Sequence, residues 1–159
     1  MGLFWDATGT KITCQESEKM IVGKFGKHLT FEVYRKPASE GEDKVKYLTF
    51  QNLQRNVSSR VTEHARILKK HKTQFGGPNL SEMTFTMTFS ASLGINPRKM
   101  LSSLESCVRL GKIGYFIIGS KKIGKHKYII TNISESWGHI IKNGKLVSAS
   151  VDVTMKEYL

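Results

Sequence analysis

From Glu82 to Leu93 the sequence alternates strictly: Met83, Phe85, Met87, Phe89, Ala91 and Leu93 are separated by Thr84, Thr86, Thr88, Ser90 and Ser92. Successive side chains on a strand point to opposite faces, so the pattern predicts a strand over 82–93 with one buried and one polar face. At about 3.3 Å per residue such a strand would run roughly 40 Å, longer than is usual. The polar face is uncharged and short-chained. It reads either as a solvent face of good β propensity or, through Thr84, Thr86, Thr88 and Ser90, as the lining of a channel or a subunit contact.

Further strands are expected around it. Residues 29–34 alternate. Residues 35–44 read as a loop. Residues 45–54 predict a strand with Val45, Tyr47, Thr49, Gln51 and Leu53 on one face. Tyr115–Ile118 is an apolar run fit for a buried strand, and Gly119–Gly124 a turn region. Residues 126–134 predict a strand with Tyr128, Ile130 and Asn132 on one face. Asn143-Gly144 signals a hairpin into a final strand, 145–156, that sets Val147, Ala149, Val151, Val153 and Met155 against Ser148, Ser150, Asp152 and Thr154.

One helix is expected. Asn96 is its N-cap and Pro97 its first residue, Met100, Leu101, Leu104 and Val108 share a face, and Gly111 supplies the left-handed stop. About seven strands and one helix make a β-rich domain, a sandwich or a barrel, with the helix over one face or end.

Charge narrows the functional classes. The 159 residues, a length suited to one domain, carry a net charge of +12 with 39% hydrophobic residues, which excludes wholesale disorder and predicts an acidic partner, nucleic acid or protein. Residues 51–80 hold Arg55, Arg60, Arg66, Lys69, Lys70 and Lys72 against Glu63 alone. This long, weakly patterned stretch ends in Gly76-Gly77-Pro78-Asn79 and reads as a basic extended arm whose six cations are the candidate partner-binding residues. A solvated face that keeps the chain soluble is the plainer reading. A second basic cluster comprises Arg109, Lys112, Lys121, Lys122, Lys125 and Lys127.

No chemistry-bearing constellation accompanies the charge. His28, His64, His71, His126 and His139 have no metal-ligand spacing, and phosphate-cradle, nucleophile-elbow and zinc-protease motifs are missing, so no enzyme, metal or cofactor is expected. Cys14 and Cys107 read as two reduced thiols in a cytoplasmic product, with a disulfide as the alternative, and Cys107 as a small buried hydrophobe. No apolar run is long enough to span a membrane, no secretory leader is evident, and Asp6 spoils the myristoylation pattern begun by Gly2.

The order of these features over the C-terminal two thirds resembles one family. It comprises Gln51–Asn56, the run to Phe75-Gly76-Gly77-Pro78, the alternating 83–93 strand, Asn96-Pro97 and the helix, Leu110-Gly-Lys112 and Tyr115–Ile118. It closes with Ile129–Ser136 and Gly144–Met155, and Gly2-Leu-Phe-Trp5 fits as a short apolar start. This order is similar to the phage tail protein U (GpU) family of contractile tails and phage-tail bacteriocins. Residues 6–44 match poorly and look enlarged.

The resemblance implies a mainly β fold with one flanking α-helix and a long extended arm. That fold would be a sandwich or split barrel like the tail-tube module, closing into a sixfold ring. It implies a non-enzymatic structural component at the junction of tail tube, hub and baseplate. The partners would be further copies of the chain and the tube, hub and baseplate proteins, with nucleic acid only passing through the lumen if the particle is a phage. The chain would reside in a virion or tailocin assembled in the host cytoplasm. The alternative from charge is a basic nucleic-acid-binding β domain, for which Tyr115, Phe116 and Tyr128 near the cations are candidate stacking residues.

Overall fold

A computed structural model describes residues 19–36 and 44–159. The expectations for Gly2–Trp5, for Cys14 and its pairing, and for most of the 35–44 loop lie outside the described residues. The strands, in chain order, are β1 (Lys19–Phe25), β2 (Leu29–Lys36), β3 (Lys44–Leu48), β4 (Phe50–Asn56), β5 (Ser59–Arg66), β6 (Lys69–Pro78) and β7 (Glu82–Ser90). After the helix α1 (Pro97–Arg109) come β8 (Ile113–Gly114), β9 (Phe116–Ile118), β10 (Lys121–Lys122), β11 (Lys127–Trp137), β12 (Ile140–Ile141), β13 (Lys145–Leu146) and β14 (Ser148–Tyr158). The fold is mainly β, with α1 the single α-helix among the described residues.

Two five-stranded antiparallel sheets form the body, ordered β10-β9-β1-β2-β3 and β4-β7-β14-β11-β8, and neither closes into a barrel. Phenylalanines join them. Phe31 and Phe116 from the first sheet meet Phe50 and Phe85 from the second, with Phe31–Phe50 edge-to-face at 4.9 Å and Phe85–Phe116 stacked at 5.4 Å. Such aromatic pairs contribute about 0.5–1.5 kcal/mol each beyond area burial. Helix α1 lies along β11 and covers apolar surface of the second sheet with Leu101, Leu104 and Cys107.

The 82–93 alternation holds its phase, since Met83, Phe85, Met87 and Phe89 are all buried. The strand is shorter than its pattern, however. It stops at Ser90, and Ala91–Leu93 form a 3-10 turn closed by Gly94 at φ +70. Burial ends with the ladder: Ala91 is exposed and Leu93 only half-buried, so the last two apolar letters of the alternation do not extend the buried face.

The 45–54 expectation fails as one strand. The chain passes from the first sheet to the second between Leu48 and Phe50, and these two turn inward while Tyr47 and Gln51 stay exposed. A bulge with Asn52 at φ +54 then brings Leu53 back against the core. In β11 a bulge between Ile130 and Asn132 does the same, so Asn132 leaves the face of Tyr128 and Ile130, and Ile133 takes it.

The helix follows its signals. Asn96 Oδ1 accepts from Lys99 N–H at 3.4 Å, Pro97 opens the first turn, and Gly111 has φ +56. The final strand divides at Val147. Asn143 and Gly144, both at positive φ, turn the chain from β12 into β13, whose Lys145 pairs with Ile141.

Candidate functional site

Strands β5 and β6 form a two-stranded sheet apart from the body, exposed along its length except at Gly77. The arm expected over 51–80 is therefore narrower, Ser59–Pro78, because Phe50–Asn56 belongs to the second sheet. Arg60, Arg66, Lys69, Lys70 and Lys72 ride on this hairpin, whereas Arg55 sits on β4 at its root. Among the described residues none of the six forms an ion pair with a carboxylate.

The apolar and basic run Ala65–Lys72, which the sequence leaves open to a helix turn or a strand, is the tip of this hairpin, and the arm's apolar residues stay exposed. Val61 pairs with Phe75, and both side chains are exposed. At the tip Ile67 is 92% and Leu68 101% exposed, and Leu68 takes φ +56. A left-handed conformation costs a side-chain-bearing residue roughly 1–2 kcal/mol. Glycine would suit this turn better, so the fold spends stability to hold a leucine in water. The available signal was Ile-Leu isolated between Arg66 and Lys69.

The root of the arm is clamped. Asn79 N–H donates to Ser58 O and Asn79 Nδ2 to Ser58 Oγ. Ser81 N–H and Oγ both donate to Glu157 Oε2 at 2.9 Å, and Glu157 N–H returns a bond to Ser81 O. The Ser81 backbone N–H holds the Glu157 carboxyl below its ordinary value, against a smaller opposing effect of burial. Beside the clamp lies a cleft of about 600 Å3 bordered by Arg55, Val57, Leu80, Lys125, His126 and Leu159.

Thr84, Thr86, Thr88 and Ser90 do share one face, the outer face of the second sheet. The register sets Asn132–Thr154–Thr84–Gln54, Ser134–Asp152–Thr86–Gln51 and Ser136–Ser150–Thr88 side by side. Only Asp152 is charged in these three rows, and it accepts from Thr86 Oγ1 at 2.6 Å. The sheet's margins are also open within the described residues. β4 pairs on one side only, and β8 covers β11 only at Tyr128 and Ile129.

A platform for stacking bases is not assembled. Phe116 and Tyr128 are buried, and Lys122 Nζ already lies 4.3 Å from the centre of the Tyr115 ring. His64 Nε2 meets Gln74 Oε1 at 3.1 Å. No cluster of three or more His, Cys, Asp or Glu residues fit for a metal stands among the described residues. Cys107 is buried, which pushes its thiol pKa up. No described helix is long and apolar enough to cross a membrane.

The family model described as Phage P2 GpU matches residues 43–159. No curated protein matches. A solved structure described as the tail of an empty GTA particle, computed with helical refinement in C6 symmetry, is similar with a TM-score of 0.46 and 10% identity, covering 87% of this chain and 91% of that chain. At that similarity the likeness carries nothing over to this chain. The family match takes in β3 through β14 and well over half of the sequence, so the chain belongs to the Phage P2 GpU family and is a component of a phage tail or phage-tail-like particle.

Proposed function

We propose that this chain is a ring-forming structural piece at the junction of tail tube, hub and baseplate, and that it performs no bond chemistry. One observation carries the reading: the second sheet keeps open backbone on β4 and on the outer half of β11, while an exposed arm leaves the body beside it. Open strand edges are templates for pairing with another chain. An edge on one side and a different edge on the other make a head-to-tail contact, which closes into a ring when the rotation allows. Family membership supports six copies. Thr84, Thr86, Thr88 and Ser90 then line the lumen or a subunit contact, and Arg55, Arg60, Arg66, Lys69, Lys70 and Lys72 face a neighbouring copy or a baseplate protein.

The test is cryo-electron microscopy of the assembled particle, with mass measurement of the purified chain. The expected species is a closed ring near the tail tip, with a mass six times 18.0 kDa. Particles that assemble and function normally without the chain overturn the reading, as does turnover of a small molecule by the purified protein. A nucleic-acid-binding β domain would instead bind duplex DNA with an affinity that collapses as salt rises.

A further inference from the structure

Resting on the ring reading above, we infer that the arm docks by one basic face into an acidic groove on a different protein of the particle, and not on a further copy of this chain. The β5–β6 ladder sorts the arm's charges. Both register shifts put the extra residue on β6, so β5 alternates without interruption and sets Arg60, Thr62, His64 and Arg66 on one face. Gln74, Lys72 and Lys69, paired with Thr62, His64 and Arg66, join that face, where His64 Nε2 meets Gln74 Oε1. Four permanent cations thus share one side with no carboxylate among them. The arm's single acid, Glu63, lies on the other side with Thr73, beside the exposed pair Val61 and Phe75.

This sorting works against the free hairpin. Two strands alone are marginally stable in water. Arg66 stands directly opposite Lys69, and like charges so placed repel. An anionic surface laid against the face relieves that repulsion and fixes the arm's register on its partner.

A further copy does not supply such a surface. The hairpin holds five of the chain's 25 Lys and Arg and one of its 13 Asp and Glu, so the rest of the chain is itself strongly basic. Among the described residues off the arm, Glu32, Glu82 and Glu105 already pair with Lys46, Lys156 and Arg109. Asp152 and Glu157 take hydrogen bonds from Thr86 and Ser81, and Glu135 takes one from the Trp137 indole. Duplex DNA would neutralise the cations but leave Val61 and Phe75, 49% and 67% exposed, in water on the far side. A groove in a protein covers both sides of the arm. Its acidic wall meets the cations, and its apolar wall receives Val61 and Phe75, with the aromatic ring as the anchor.

The test places the photocrosslinker benzoylphenylalanine at position 72 or at position 75 of the full chain, in particles assembled in the host. Each position is expected to crosslink to another protein of the particle, position 72 to a peptide rich in Asp and Glu and position 75 to an apolar one. Separately, Arg66→Glu with Lys72→Glu lowers incorporation into particles by about tenfold, and Arg66→Lys with Lys72→Arg leaves it at the parental level. Lysines in place of the acids of the crosslinked peptide restore incorporation of the reversed variant. These arm positions are exposed, so the unfolding midpoint of the purified chain stays unchanged. Crosslinks from position 72 to a further copy, to nucleic acid or to lipid overturn the docking and leave the ring standing. So does the lack of any crosslink, or incorporation indifferent to charge reversal. Particles that contain the chain but no ring of it overturn both readings.

Discussion

Tyr128 Oη lies 3.0 Å from Ser81 Oγ, and through it the core of the second sheet is tied to the root of the arm. Ser81 has one hydroxyl proton, and Glu157 Oε2 receives it, so the tyrosine must be the donor. Tyr128→Phe removes a buried donor without removing the ring. It should cost about 1 kcal/mol in urea unfolding, with Ser81→Ala similar and the double variant less than the sum.

The same clamp predicts a pH dependence. A carboxyl whose folded pKa is lowered adds stability above its ordinary value of 4.5 and loses it as pH falls through the lower folded value. Glu157→Gln should therefore be less stable than the parent by about 1 kcal/mol at pH 7. The gap should close in acid below pH 4.5, as read by unfolding midpoints across pH.

The phenylalanine junction should be the most sensitive place in the body. Phe31→Ala or Phe116→Ala, both fully buried, should each cost about 3–5 kcal/mol by denaturant unfolding. Lys69→Gln with Lys70→Gln, on the exposed arm, should leave the midpoint within about 0.5 kcal/mol of the parent.

Gly23 is fixed by space. A Cβ there would stand 2.8 Å from the Ile117 carbonyl oxygen across the β1–β9 pairing. Backbone cannot retreat as a side-chain end can, so Gly23→Ala should destabilise by about 1–3 kcal/mol, with weakened hydrogen-exchange protection in β9.

What could be read from the sequence follows from which features are local. The Asn96–Gly111 signals and the 83–89 alternation depend on neighbours a few residues away, and both survive folding. The phase of residues 45–54 did not, because Asn52 inserts a bulge and the chain changes sheets near Thr49, decisions made by partners far along the chain. The long basic arm was legible as a segment that lacks a core. Its tip was visible as the short apolar and basic run 65–72, but that Ile67 and Leu68 stand in water followed only from the hairpin, which gives them no neighbours to pack on. The second sheet's polar outer face was visible strand by strand, but its breadth needed the registers.

One last consequence concerns the order of synthesis. Strand β14 follows every other described strand in sequence, yet it occupies the middle of its sheet, between β7 and β11. Until the ribosome has delivered it, β7 and β11 have nothing to join them, and each offers the other chains in its surroundings an edge that β14 will later cover. The stretch of synthesis between β11 and β14 is therefore when this sheet is most open to mispairing.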